Sequence, residues 1–320
     1  MLSTVIPVFN EVESLKALYQ ELSDVAVAQK YELDIVFVDD GSTDGSWEVI
    51  RELADADPRV SGIRFRRNFG KAAALNAGFA QARGELIMTL DADLQDDPHE
   101  IPKFLTEMGK KLDVVSGWKK VRHDPVDKVL PSRVFNWMVS SLTGVHLHDH
   151  NCGMKCYRRE VFDEVHLYGE LHRFVPVLAA ARGFRVGEVV IGHRPRKYGR
   201  SKYGFMRFIK GFLDLLTVKF LTGFGQRPQH ILGTVGLASF SLGFLGMLLL
   251  AGWWVITRIP FFGLEHALLH QRPAVIYSLG LMLLGGQLMS IGFLAELMIA
   301  YNAPEHRGYS ISERTPDKKS

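Results

Sequence analysis

Two long stretches of this chain carry no charge at all. Ile231–Ile256 runs for about 26 residues and Ala274–Ala295 for about 22, and either exceeds the ~20 residues a helix needs to cross a bilayer. Their glycines (Gly233, Gly236, Gly243, Gly246, then Gly280, Gly285, Gly286) suit close helix packing in lipid. Two transmembrane helices are therefore expected, at about 231–257 and 274–299 within a 229–302 membrane region. A polar tail over 303–320 follows. Glu296 is the one acid in the apolar run; it is expected at the interface or beside a basic group there.

The net charge of +3 conceals an uneven distribution. From Arg194 to Arg227 the chain is rich in Lys and Arg, with Asp214 the single acid. A basic segment adjoining an apolar one points to a membrane surface rather than to nucleic acid. Within it, Phe205, Phe208, Ile209, Phe212, Leu213, Leu215, Leu216 and Phe220 recur at helical spacing, with Arg207, Lys210 and Lys219 among them. This predicts one or two amphipathic interfacial helices inside 196–228. The basic flanks on either side of the apolar pair place both on the cytoplasmic side. The first residues run straight into Leu2–Val8 with no cationic leader, so the N-terminal domain is expected to stay there too.

Residues 1–195 alternate between two periodicities. Leu2–Val8, Leu33–Val38, Val60–Phe65, Glu85–Leu90 and Leu112–Ser116 read as strands, and Glu11–Ala28, Ser46–Ala56, Lys71–Ala82 and His99–Lys110 as helices. Near-continuous apolar strands such as Ile35–Val38 suit a parallel sheet covered on both faces, and the alternation predicts an open α/β domain. Ligands of such sheets bind beyond the carboxyl ends of the strands. Acidic residues stand at three of those ends: Glu11, then Asp39 and Asp40 with Asp44, then Asp91, Asp93 and Asp97. A lone Asp after a strand is commonly a helix cap, but three such ends would build one acidic crevice. Asp91 and Asp93, two residues apart, can share a hard cation of the Mg²⁺ or Mn²⁺ kind, with Gln95 offering another oxygen.

The strings Pro7-Val-Phe-Asn-Glu11, Val38-Asp-Asp-Gly-Ser-Thr-Asp44, Asn68-Phe-Gly-Lys71 and Leu90-Asp-Ala-Asp-Leu-Gln-Asp-Asp-Pro98 resemble the GT-A glycosyltransferases of family 2. More narrowly they resemble the dolichol-phosphate mannose synthase and bacterial polyprenyl-phosphate glycosyltransferase branch. Asp149-x-x-x-Gly153-x-Lys155 and His193-x-x-Arg196-x-x-Gly199-x-Ser201-Lys202-Tyr203 resemble later segments of that branch. The resemblance implies a Rossmann-like GT-A domain in a multi-pass plasma-membrane protein. It also implies inverting transfer of a hexose from a UDP- or GDP-sugar to a polyprenyl phosphate such as undecaprenyl phosphate. It implies donor contacts at Pro7, Glu11, Asp39, Asp40, Lys71, Asp91, Arg196 and Lys202. Acceptor contacts would fall at Arg122, Ser132, Arg133 and Asp149, metal ligands at Asp91, Asp93 and Gln95, and catalysis on Asp91, Asp93 and Arg133.

Three other readings compete. A processive polysaccharide synthase would carry a Q-x-x-R-W segment, which this chain lacks. A non-catalytic nucleotide-sugar-binding protein would not need Asp91, Asp93, Gln95, Arg196 and Lys202 together. Zinc at His146, His148, His150, Cys152 and Cys156 matches no common ligand spacing, and two cysteines make no disulfide scaffold. The sugar and a homo-oligomeric state are left open. The orientation is testable: a cysteine placed at residue 265 should react with an impermeant thiol reagent on intact cells, and one at residue 310 only after permeabilisation. The reverse pattern would invert the topology.

Overall fold

Ile35 and Phe37 point into one apolar layer and Val36 and Val38 into another, and all four are fully buried. That alternation fixes a sheet covered on both sides. The computed structural model describes residues 1–120, 126–165, 171–192, 194, 206–223, 228–259, 268 and 272–302. They divide into two units, Met1–Thr222 and Gly223–Ser320.

In the first unit, β1 (Leu2–Val8), α1 (Leu15–Gln29), β2 (Leu33–Asp39), α2 (Ser46–Ala56), β3 (Val60–Arg64), α3 (Lys71–Gln81) and β4 (Leu86–Thr89) alternate strictly. Next come α4 (Ile101–Met108), β5 (Val114–Lys119), α5 (Val126–Thr143), β6 (Lys155–Arg158), α6 (Val161–Glu164), α7 (Val175–Ala181), β7 (Val186–Ile191) and α8 (Met206–Gly223). The strands form one sheet in the order β3-β2-β1-β4-β6-β5-β7. Leu15, Leu18 and Leu22 of α1, Ile50 of α2 and Phe104 of α4 fill one layer. Ala74, Leu75 and Phe79 of α3, with Val161, Val175 and Ala179, fill the other. Burying each such side chain contributes roughly 1.5–3 kcal/mol.

The sheet is mixed, where the sequence suggested a parallel one. β6 runs antiparallel between β4 and β5, with Thr89 opposite Lys155 and Ser116 also opposite Lys155. β6 is only four residues long, too short for a period-2 signal. Its direction brings its first residue, not its last, to the edge where β4 and β5 end. Helix α1 begins four residues later than the sequence suggested, because Glu11 spends its backbone N–H on Ser46 Oγ (3.1 Å) and residues 11–14 form a turn. Pro7 costs no ladder bond on the β4 side, since β4 pairs with β1 only through Val5.

Helix α8 departs most from expectation. Leu215, assigned above to the membrane face, is fully buried with Val218 against Phe135 and Val139 of α5 and Phe174. The helix thus packs on the rest of the first unit along one face, while Phe212, Leu213 and Leu216 face outward. Phe205 lies outside the described residues, as do the side chains of Phe208, Ile209 and Phe220.

The second unit is a helix pair, α9 (Pro228–Ile256) and α10 (Pro273–Asn302), long and apolar enough to cross a membrane. A methyl at Gly236 would lie 2.8 Å from Gly285 O, and one at Gly243 2.5 Å from Ser278 O. Gly236, Gly243 and Gly285 therefore form the seam of closest approach. Gly280 and Gly286 meet nothing. Glu296 accepts the backbone N–H of Gln229 at 3.2 Å, so among the described residues its partner is the first turn of α9 rather than a basic side chain. A carboxylate there complements the exposed amides of a helix start.

Truncation at the α5–α8 seam distinguishes domain packing from lipid contact. Leu215→Ala should destabilise the first unit by about 2–5 kcal/mol, read as a lower thermal midpoint of the purified protein, whereas Leu216→Ala should leave it nearly unchanged.

Candidate active site

Parallel strands end together, so the residues after β1, β2 and β4 share one edge. β5 ends on that edge as well, and antiparallel β6 starts there. Glu11, Asp39, Asp40, Asp91, Lys119 and Lys155 are thereby gathered from positions up to 144 residues apart in sequence.

The acidic turn after β4 is built around paired charges. The Lys71 ammonium, at the first residue of α3, forms an ion pair with Asp91. Lys119, at the end of β5, reaches the buried Asp96 at 2.8 Å. Burial pushes the Asp91 carboxyl up, but Lys71, then Lys119 and His172, pull it down to about 2. Asp93 is buried and its Oδ1 accepts the Gln95 N–H at 3.1 Å. This tightens the turn around Leu94, which sits in the left-handed region at φ 60°. Such a conformation in a non-glycine residue is uncommon and concentrates at functional sites. The Gln95 carbonyl accepts the Arg194 N–H at 3.1 Å. Asp97 accepts the His99 N–H at 2.9 Å and the Arg194 guanidinium at 2.7 Å.

Gly153 closes the back of this turn. A Cβ on it would stand 2.7 Å from Asp91 Oδ2 and 3.0 Å from Asp96 Oδ2. The two carboxylates occupy the space of a missing side chain, and Thr89 Oγ1 holds the Gly153 carbonyl at 2.7 Å. Lys155, two residues on, is buried and bonds the Cys152 carbonyl; burial lowers its pKa. Burial likewise pushes the Cys152 and Cys156 thiols up to about 12, and both are free.

On the β2 side, Asp40 receives two backbone donors, the Phe69 N–H at 2.6 Å and the Gly70 N–H at 2.9 Å. It suspends the loop that delivers Lys71. Gly41 (φ 75°) lets the same loop approach: a Cβ there would meet Arg67 C at 2.6 Å. Asp39 accepts the Ser42 N–H at 2.9 Å and lies 3.4 Å from Arg64 Nε. Asp44 receives the N–H groups of Val12 and Ser46, at 3.1 Å and 3.0 Å, and ties the turn after β1 to α2.

The loop before β6 fastens α5 to this edge. Asn136 Nδ2 donates to the His148 carbonyl at 2.9 Å, and the His150 N–H donates to Asn136 Oδ1 at 3.3 Å. Ser140 Oγ contacts His150 Nε2 at 3.1 Å. Asp149 is buried, with Oδ1 accepting the Asn151 N–H at 3.1 Å and its carbonyl accepting Ser116 Oγ at 3.3 Å. Helix α5 thus presents half-buried Ser132 and exposed Arg133 from a mount shared with Gly153. Arg122, Arg196 and Lys202 lie outside the described residues.

The zinc reading finds no support among the described residues. His148 stacks on Trp118 and pairs with Glu188, while His150 turns to Ser140. Among the described residues, the one cluster of three ligand types, Glu21, Asp97 and His99, is already bridged by Arg194, 2.8 Å from Glu21 and 2.7 Å from Asp97.

Residues 3–166 match the profile described as Glycosyl transferase family 2. This chain belongs to that family. The transferase is 36% identical over 306 residues to a dodecaprenyl-phosphate galacturonate synthase of Rhizobium johnstonii, covering 93% of this chain and 87% of that one. It is also 36% identical to an undecaprenyl-phosphate 4-deoxy-4-formamido-L-arabinose transferase of Pseudomonas fluorescens, covering 92% and 84%. Its fold resembles glucosyl-3-phosphoglycerate synthase of Mycobacterium tuberculosis, solved with Mn²⁺, uridine-diphosphate-glucose and phosphoglyceric acid. That match has a TM-score of 0.55 at 17% identity, over 68% of this chain and 79% of that chain. The mixed sheet of the transferase is of the GT-A type, as the motifs implied.

Sequence reasoning missed Asp96, Lys119, Asn136 and the roles of His150, Lys155 and His172. Gly153 and Lys155 were visible in a motif, but their geometric purpose was not. His150 offers a pH test of the α5 mount. Burial, then Lys155, lowers its pKa from 6.5 to about 4. Between those values the unfolded chain takes up a proton that folded His150 refuses, so stability falls as pH drops through that window and is unaffected above it. The gap corresponds to roughly 3 kcal/mol. Thermal midpoints taken from pH 7.5 to 4.5 should fall more steeply for the wild type than for His150→Gln.

Proposed function

We propose that this transferase moves a sugar from a nucleotide diphosphate donor onto the phosphate of a polyprenyl lipid, with inversion at the anomeric carbon, on the cytoplasmic face of the plasma membrane. The observation that carries this reading is the extent of the likeness. Relatives named for dodecaprenyl and undecaprenyl phosphate acceptors align over 92–93% of the chain, the apolar pair α9 and α10 included.

Pro7, Glu11, Asp39 and Asp40 line the nucleoside side of the crevice. Lys71, Arg196 and Lys202 contact the donor diphosphate. Asp91, Asp93 and Gln95 fit a divalent cation. They offer hard oxygens, Asp91 is ionised, and the missing Cβ of Gly153 leaves room for the carboxylates. Mg²⁺ or Mn²⁺ accepts such a set, with phosphate oxygens completing it; when bound it neutralises charge on the departing diphosphate.

Arg133, joined by Ser132 and Arg122, meets the acceptor phosphate through its planar fork. Asp149 is buried and acts by holding the loop that mounts α5. A phosphomonoester carries about −1.5 to −2 charge at pH 7, so its oxygen attacks without first losing a proton. The bond from the anomeric carbon to the acceptor oxygen forms as the bond to the diphosphate breaks. Positioning and charge stabilisation supply the rate. The sugar is a hexose in our reading. One relative's galacturonate is a hexose derivative and the other's formamido-arabinose is a pentose, so a donor panel must contain both classes.

Proteoliposomes bearing undecaprenyl phosphate, given UDP- and GDP-sugars in turn with Mg²⁺ or Mn²⁺, should yield a labelled lipid with one donor. EDTA should abolish the product, and Asp93→Ala should lower the rate by at least about a hundredfold. Full activity in EDTA would remove the metal from the scheme, and no lipid product with any donor would remove the acceptor.

A further inference from the structure

One arginine ties the far edge of the sheet to the acidic turn after β4. Arg194 lies three residues beyond the end of β7. In the sequence it is only the first residue of a basic segment. Its backbone N–H donates to the Gln95 carbonyl at 3.1 Å, and its guanidinium reaches Asp97 at 2.7 Å and Glu21 of α1 at 2.8 Å. Two residues earlier, the Gly192 N–H donates to Glu100 Oε1 at 3.3 Å. The chain leaving β7 is thereby fastened at Glu100, at Gln95 and at Asp97.

These contacts act where the turn has least freedom to relax. Gln95 gives its own N–H to Asp93 Oδ1 at 3.1 Å, so with Arg194 on its carbonyl both backbone polar groups of Gln95 are held. Leu94, between Asp93 and Gln95, sits at φ 60°, a conformation that persists where the surroundings over-determine it. The guanidinium also separates two carboxylates. The ligand atoms of Glu21, Asp97 and His99 all lie within 4.8 Å of one another, so without a cation between them Glu21 and Asp97 repel. That repulsion would pull on a turn whose other acids are Asp91, Asp93 and Asp96.

We propose that Arg194 is a positioning residue for the cation-binding turn. It fixes Gln95 and Asp97 from the β7 side, so that Asp91, Asp93 and Gln95 stay set for one hard cation. This rests on the reading that those three residues hold the cation. Groups that orient metal ligands without touching the ion commonly govern affinity by about 10–100-fold. A plain charge effect has the opposite sign. Arg194 is a cation near a site for a dication, and loss of its field alone would tighten metal binding. The direction of the change therefore separates positioning from field.

Manganese affinity of the full-length protein in lipid nanodiscs tests this without relying on turnover. The EPR signal of free Mn²⁺ is followed with the same excess of UDP in every sample. Arg194→Gln should weaken Mn²⁺ binding about tenfold. Arg194→Lys keeps the charge but not the fork, and should weaken it by less. Arg182→Gln breaks an ion pair of similar exposure, with Glu164 at 3.0 Å, and should bind Mn²⁺ as the wild type does. Unchanged or tighter binding by folded Arg194→Gln overturns the inference, and so does an equal loss in Arg182→Gln. Should Arg194→Gln fail to fold, wild-type affinity in Arg194→Lys overturns it in the same way. Asp93→Ala binding Mn²⁺ as tightly as the wild type would instead overturn the metal reading beneath it.

Kinetics provide the second arm. The rate lost by Arg194→Gln should return as Mn²⁺ is raised, with KM for undecaprenyl phosphate unchanged. A raised KM for the lipid with an undisturbed Mn²⁺ dependence would make Arg194 an acceptor contact and refute its part in the turn.

Discussion

Carboxylates crowded behind β4 repel one another, and the cations set against them organise the first unit. Asp91 has Lys71 and Asp96 has Lys119. Each pair joins a residue of the 91–97 turn to a different element, so neutralising the turn also orders what surrounds it. Lys71 must open α3, Lys119 must end β5, and the chain between must return as an antiparallel strand for Gly153 to slip behind the carboxylates. Removing one partner of such a pair leaves a buried charge uncompensated, at a cost of several kcal/mol. Asp96, at 1% exposure, would be the harder to leave alone.

Much of this was legible in the amino-acid sequence. β1 and α2 coincided with their expected limits, and β2 did so within a residue, because their apolar periods are long and uninterrupted. Periodicity alone did not announce β6, β7 or α5–α7, for physical reasons. Lys155–Arg158 is too short to show a period, β7 is half-buried along much of its length, and α5 is amphipathic in the unexpected sense. Of the site, Asp91 and Asp93 were legible because their spacing is local. The ion pair between residues 96 and 119, and the clearance at Gly153, are properties of three-dimensional approach that no local pattern encodes.

Helix α8 illustrates how periodicity runs out. Apolar residues at helical spacing show that a helix buries a face, but not which face, nor against what. Here both faces are apolar: Leu215 and Val218 meet protein, while Phe212, Leu213 and Leu216 do not. A reading that allotted every apolar residue to lipid placed Leu215 on the wrong side. The same ambiguity hid α5, whose outward Trp137 is as apolar as its inward Phe135.

The loop from Arg67 to Gly70 hangs from both oxygens of Asp40 and rests on the bare Cα of Gly41. Ordering a backbone residue costs about 1–2 kcal/mol of conformational entropy, and in this loop that cost falls when the chain folds. On the proposed reading, a phosphate-bearing molecule arriving at Lys71 would find the backbone already fixed and would have chiefly the lysine's own side-chain torsions to restrain. Preorganisation of this sort leaves more of the contact energy for affinity. A carboxylate proposed to line the nucleoside side of the crevice would thereby also lower the entropic toll of capturing the diphosphate.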